Sequence, residues 1–134
     1  MNRLDGSQLK VTFLENHFIQ LDNPQEGIRY VGEHVNLIPN GSGNAVNAYG
    51  DEYLGEFLDD WFHGRGVFIY ASGYKYDGEF EFGKFNGYGT FFYNDGSMYT
   101  GDFKDNLFHG EGTYIDPNGR KTTGRWENDQ YAGR

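Results

Sequence analysis

The 134 residues include 20 acidic and 11 basic side chains, for a net charge of −9, and no cysteine. A balance this acidic disfavours nucleic acid and anionic membrane, which need clustered Lys and Arg, and the missing thiols exclude disulfides, thiolate catalysis and Cys-type zinc sites. Twelve Phe, 11 Tyr and 2 Trp stand beside 21 Gly; so many rings exclude a disordered chain and put the glycines at fixed turns and close approaches.

In chain order, "KVTFL" (10–14) and "HFIQL" (17–21) read as a short hairpin, and "DNPQEG" (22–27) as the turn that follows. Residues 9–21 are expected to cap the first face of what comes next, with 1–29 as an N-terminal segment.

From Tyr30 the sequence repeats every 23 residues. Tyr30, Tyr53, Tyr76 and Tyr99 head four units (30–52, 53–75, 76–98, 99–121), and Thr122 heads a partial fifth (122–134). Gly32, Gly55, Gly78, Gly101 and Gly124 stand two residues on, and His34, Phe57, Phe80, Phe103 and Trp126 four on. Three further offsets hold Gly41, Gly64, Gly87, Gly110 and Gly133; Gly43, Gly66, Gly89 and Gly112; and Gly50, Gly73, Gly96 and Gly119.

Within a unit the period is two, so each unit is two strands. In "YDGEF" (76–80) Tyr76, Gly78 and Phe80 share a face, and "GYGTFFY" (87–93) is the returning strand. "EFGKFN" (81–86) is expected as the hairpin loop, and "NDGS" (94–97) as a turn whose Gly96 takes positive φ. Glycine on the ring-bearing face leaves space for a ring of the neighbouring strand. The fold class is therefore all-β: an elongated, twisted, single-layered antiparallel meander of hairpins, with no helix predicted. The last strand, 122–126, is expected to lack a neighbour, leaving an open edge through which 122–134 could pair in a homodimer.

The pattern "YxGxF…HGxGxxxY…DG" resembles the MORN (membrane occupation and recognition nexus) repeat from Tyr30 to Arg134. The resemblance is strongest in the units at 53–75, 76–98 and 99–121, and weaker where His34 and Ala45 stand at ring positions. It implies a module that holds partners together, in cytoskeletal, ciliary or membrane-junction assemblies. It also allows a targeting module of a lipid kinase or lysine methyltransferase, or a phosphoinositide-binding module, which the charge disfavours. The expected setting is the cytoplasm.

Catalytic, metal and cofactor sites are not expected. His63 and His109 are two units apart, roughly 20 Å at ordinary strand spacing, too far to share an ion, and read as side chains that bond loop backbone. Glu33, Glu56, Glu79 and Asp102 recur about 10 Å apart, too far for one calcium, and read as a solvated face or a site for a basic partner. Ser7, Ser42, Ser72 and Ser97 lie in the tail or in turns, outside any nucleophile motif.

The candidate site is the ring face itself: Tyr53, Phe57, Phe68, Tyr76, Phe80, Phe91, Tyr99, Phe103, Tyr114 and Trp126. A single layer has no second layer to cover that side, so the face is expected to take a peptide, an amphipathic helix or a helix of a longer parent chain. Phe62, Phe85, Phe108 and Tyr131 are expected in the hairpin loops, as a second row along one edge of the sheet; they either anchor the loops under the sheet or make an exposed apolar rim.

Overall fold

The computed structural model describes residues 9–134; Ser7 and the start of the 1–29 segment lie outside them. The strands are β1 (Lys10–Phe13), β2 (Ile19–Asn23), β3 (Ile28–Val35), β4 (Ile38–Val46), β5 (Glu52–Leu58), β6 (Trp61–Ile69), β7 (Lys75–Glu81), β8 (Lys84–Phe92), β9 (Met98–Lys104), β10 (Leu107–Ile115), β11 (Lys121–Glu127) and β12 (Gln130–Gly133). Among the described residues these twelve form one open sheet in sequence order, each strand antiparallel to the next. At about 4.8 Å between neighbours the sheet runs roughly 50 Å from first strand to last. The only helical piece among the described residues is a single 3-10 turn at Glu15–His17.

Two turn types alternate. Within a unit the hairpin closes on two residues, both with left-handed backbone: Asp59 and Asp60 (φ 46° and 72°), Phe82 and Gly83 (45° and 83°), Asp105 and Asn106 (49° and 74°). These are the signs of a type I′ turn, whose twist matches that of the flanking strands. The six-residue loop expected at 81–86 is thus corrected to Phe82–Gly83, with Lys84, Phe85 and Asn86 already in β8. The correction has a physical cause: Gly83 takes φ 83° without steric cost and Phe82 is held at 45° beside it, so two residues close the tip and the ladder runs up to it. Between units the turns are longer. At 93–97 Gly96 has φ 90°, as expected, and Tyr93 and Ser97 close the loop through a backbone bond of 3.0 Å.

The returning strand of each hairpin bulges. Gly55 faces Gly66 and Phe57 faces Phe62, so two extra residues of β6 are absorbed around Gly64, whose φ is 77°. The same shift recurs in β4, β8 and β10. Extra residues leave an N–H without a ladder partner, and the acidic series supplies one. Glu56 accepts from Arg65 N at 2.8 Å, Glu79 from Tyr88 N, Asp102 from Glu111 N at 3.0 Å and Glu33 from Ser42 N. These carboxylates therefore close the bulges, a role the sequence reading did not assign.

Glycines form a line across nine strands: Gly32, Gly43, Gly55, Gly66, Gly78, Gly89, Gly101, Gly112 and Gly124 face one another in register. The unit tyrosines lie over this line. A Cβ added to Gly89 would stand 2.5–2.6 Å from the hydroxyl and ring of Tyr76, and one added to Gly66 would strike Tyr53 in the same way. At the head of the sheet Ile19 and Leu21 are fully buried, and Leu9 and Val11 pack beside them. At the other end β11 is paired on both sides, with β10 and with β12. The expectation that 122–126 lacks a neighbour is corrected: the short β12, with two-residue turn Asn128–Asp129, supplies it.

Two substitutions separate these effects. Gly89→Ala should cost at least about 2–3 kcal/mol, because the methyl group would strike the ring and hydroxyl of Tyr76. Leu37→Gly should gain about 1 kcal/mol, because Leu37 holds φ 67° at the turn position where Gly83 stands one unit apart from Asp60. Urea unfolding monitored by circular dichroism measures both; a neutral Gly89→Ala would sink the ring-over-glycine account.

Candidate aromatic trough

The units headed by Tyr53, Tyr76 and Tyr99 build the same four-ring cluster. Phe62 stacks on Tyr53 with centroids 3.9 Å apart, Phe85 on Tyr76 at 3.8 Å and Phe108 on Tyr99 at 3.9 Å. Phe80 sets its edge against both Tyr76 and the preceding unit's Tyr53, at 5.0 and 5.1 Å. Phe103 joins Tyr99 and Tyr76 likewise, and Trp126 closes on Tyr99 at 5.5 Å. Offset and edge-to-face pairs of this kind are the favoured ring geometries.

The consequence for the ten rings expected at the site is a division. Tyr53, Phe57, Tyr76, Phe80, Tyr99, Phe103 and Trp126 are core, at most 7% exposed. Phe62, Phe85 and Phe108 lie over them as anchors, while Tyr131 stays 44% exposed and donates its hydroxyl to Thr123 O. A single layer covers its own ring face because the returning strand's bulge turns these phenylalanines back onto the tyrosines. Phe68, Phe91 and Tyr114 remain half-open.

Those three belong to a longer ribbon. Phe68 meets Tyr70 at 4.8 Å, Tyr70 meets Phe91 at 6.1 Å, Phe91 meets Tyr93 at 4.9 Å and Tyr93 meets Tyr114 at 6.3 Å. Tyr74 bridges Phe91 and Tyr93. The ribbon borders a run of open clefts along the sheet. One lies between Phe62, Phe68, Tyr70 and Phe91; the next continues past Phe91 to Tyr74, Tyr93 and Phe108. Tyr70 and Tyr93 were missed by the sequence reading, although their recurrence at one offset in adjacent units was a usable signal.

The opposite rim is tied by turn-to-hairpin bonds. Gly83 N donates to Phe62 O, Asn106 N to Phe85 O and Asp129 N to Phe108 O, at 2.8–3.0 Å. Side chains just before the bulge glycine add to this: His63 Nδ1 accepts from Phe82 N, Asn86 Oδ1 from Asp105 N and Asn40 Oδ1 from Asp59 N. His63 thus serves the next unit's turn. Among the described residues no three His, Asp or Glu side chains converge as a metal site.

An open, one-sheet array of identical hairpins bearing a ring-lined trough is a repeat module, each unit contacting its neighbours. The MORN repeat family matches residues 53–73, 76–98 and 99–119, and the chain belongs to the MORN-repeat proteins. The family is one of interaction modules, not catalytic by itself. No curated protein matches the chain.

The core tyrosines make stability depend on pH. Burial, and next the carboxylate at Glu33, Glu56, Glu79 or Asp102, pushes the hydroxyls of Tyr30, Tyr53, Tyr76 and Tyr99 well above the usual phenol range. All four donate to the equivalent backbone carbonyl, Tyr30 to Glu33 O and the others to Glu56, Glu79 and Asp102 O at 2.6–2.8 Å. Because the folded values are raised, this stabilisation is complete below the unfolded value of about 10 and is lost as pH rises through the folded ones. Alkaline titration should therefore show tyrosinate absorbance and loss of β-sheet ellipticity rising together above pH 10. Full tyrosine ionisation near pH 10 with the sheet intact would contradict it.

Proposed function

We propose that the protein is a non-catalytic adaptor whose trough receives the apolar face of an amphipathic helix. The observation that carries this reading is the ribbon of half-open rings from Phe68 to Tyr114 beside two neighbouring clefts that share Phe91. Ring-lined grooves bind helices through a few anchors spaced one or two turns apart. One repeat spans about 10 Å of sheet, which matches six or seven residues of helix rise. The helix can come from a partner or from a longer parent chain, as in a repeat module attached to an enzyme. A cytoplasmic, cytoskeletal, ciliary or membrane-junction setting accords with the repeat family.

Direct binding to phosphoinositide membrane is the weaker reading, since the chain carries −9 and the residues lining the cleft at Tyr93 include Asp129 but no Lys or Arg. Pairing of two copies through the β12 edge is compatible with an exposed four-residue strand, though an edge this short gives few bonds.

Synthetic 18-residue amphipathic helices with a leucine face and a basic polar face test the main reading. Amide shifts should cluster at Phe68, Tyr70, Phe91, Tyr93 and Tyr114. Phe91→Ala should weaken the complex about 30-fold, equivalent to the ~2 kcal/mol of a central ring. Tyr88→Ala, on the opposite face, should leave affinity unchanged. Shifts confined to Tyr88 and its neighbours would move the site to the other face.

A further inference from the structure

The trough changes character in the unit at 30–52. Three positions that carry rings in the unit at 53–75 (Phe68, Tyr70 and Tyr74) are Ala45, Asn47 and Asp51 one repeat earlier. Replacing rings by small and polar side chains leaves a cavity of about 500 Å³ at that end of the sheet. Its apolar wall is Ile28, Ala45, Tyr53, Phe62 and Phe68. Its lining also includes two carboxylates, Glu26 and Asp51, and no basic residue. Tyr49, 84% exposed, stands at the same cavity.

Asp51 is held in place. Its carboxylate accepts from Ala71 N at 2.8 Å and from Asn47 Nδ2 at 3.1 Å, so the next unit's turn fixes where its charge sits. Asn47 in turn accepts from Tyr49 N and Asp51 N, which orders the short turn that frames the opening. The rest of the 47–51 turn is thereby shaped by its own bonds and does not fill the space that rings occupy in later units.

We infer that this cavity is an anchor pocket for an arginine side chain of the segment that lies in the trough. A fully apolar anchor would gain nothing from the two carboxylates, of which Asp51 keeps its bonds to Ala71 N and Asn47 Nδ2, and a free anion would be repelled. Arginine meets both parts of the lining at once. Its aliphatic stem and flat guanidinium pack against Phe68 and the exposed ring of Tyr49, and its fixed fork of N–H donors reaches carboxylates on one side. Lysine presents a single strongly hydrated charge with no flat face, and suits the ring wall less well.

The pocket also orients the ligand. It lies one repeat from the cleft at Phe68 and Phe91, about 10 Å or two helical turns away. The arginine therefore belongs at the end of the helix that lies over unit 30–52, about seven residues from the apolar anchor over Phe91. This inference rests on the trough reading, and its test separates the two.

Two synthetic 18-residue leucine-faced helices are compared by calorimetry, identical except that one end position is arginine or its neutral isostere citrulline. The arginine peptide should bind about tenfold more tightly, a charge-assisted contribution that falls with added salt. Ala45→Phe restores the ring that later repeats carry, so it should erase the arginine preference while leaving citrulline-peptide affinity as it was. Thermal melting checks that this variant folds. Glu26→Gln, at an exposed side chain, gives a second route and should reduce the preference several-fold. Equal affinities for the two peptides, or a preference that survives both substitutions, would overturn the pocket and leave the trough standing. Failure of both peptides to bind would overturn both.

Discussion

Everything in this sheet depends on a tyrosine ring lying over glycine. Tyr76 fits because Gly78 and Gly89 present no side chain beneath it, and its hydroxyl reaches the Glu79 carbonyl at 2.6 Å. With the tyrosine flat, Phe85 can stack on it from the returning strand, and the edges of Phe80 and Phe103 close the cluster from two successive units. Each ring thus belongs to two repeats. That sharing is what lets one layer of strands bury a core without a second layer, since the outgoing and returning strands supply both floor and cover.

The polar groups serve the same geometry. A returning strand that must bring Phe62 back over Tyr53 needs two more residues than its partner, and the bulge frees an N–H that Glu56 accepts. The type I′ tips then lean on the preceding hairpin through Gly83 N, Asn106 N and Asp129 N. Stability in such an array is a sum of near-identical unit and interface terms. A defect in one unit, such as His34 and Ala45 in place of rings, weakens a local interface and frees space there while the later units keep their clusters.

This division between core and opening shapes function. The rings that hold the sheet are closed to solvent, and the accessible ones lie toward the turns between units, where Phe68, Tyr70, Phe91 and Tyr93 meet in T-shaped and tilted pairs. The half-open rings form a rigid surface, because they rest on buried rings: Phe68 on Phe62, Phe91 on Phe85. Rigid ring surfaces lose little conformational freedom on binding, which is the physical basis of the proposed helix docking.

The 23-residue period by itself determined the strand count per unit, the positive φ at Gly96 and the need for glycine on the ring-bearing face, because these follow from local spacing and from the absence of a side chain. It did not determine which rings stay open. Tyr76 and Phe91 face each other across β7 and β8 on one face, yet one is buried and the other half-exposed. Burial here is decided by which neighbour folds over, and that depends on the bulge, which moves Phe85 onto Tyr76. Nor could spacing show that Glu79 serves a backbone N–H or that Ala45, Asn47 and Asp51 open a cavity together. Those outcomes rest on how strands distant in sequence stack, and only the tertiary structure fixes them.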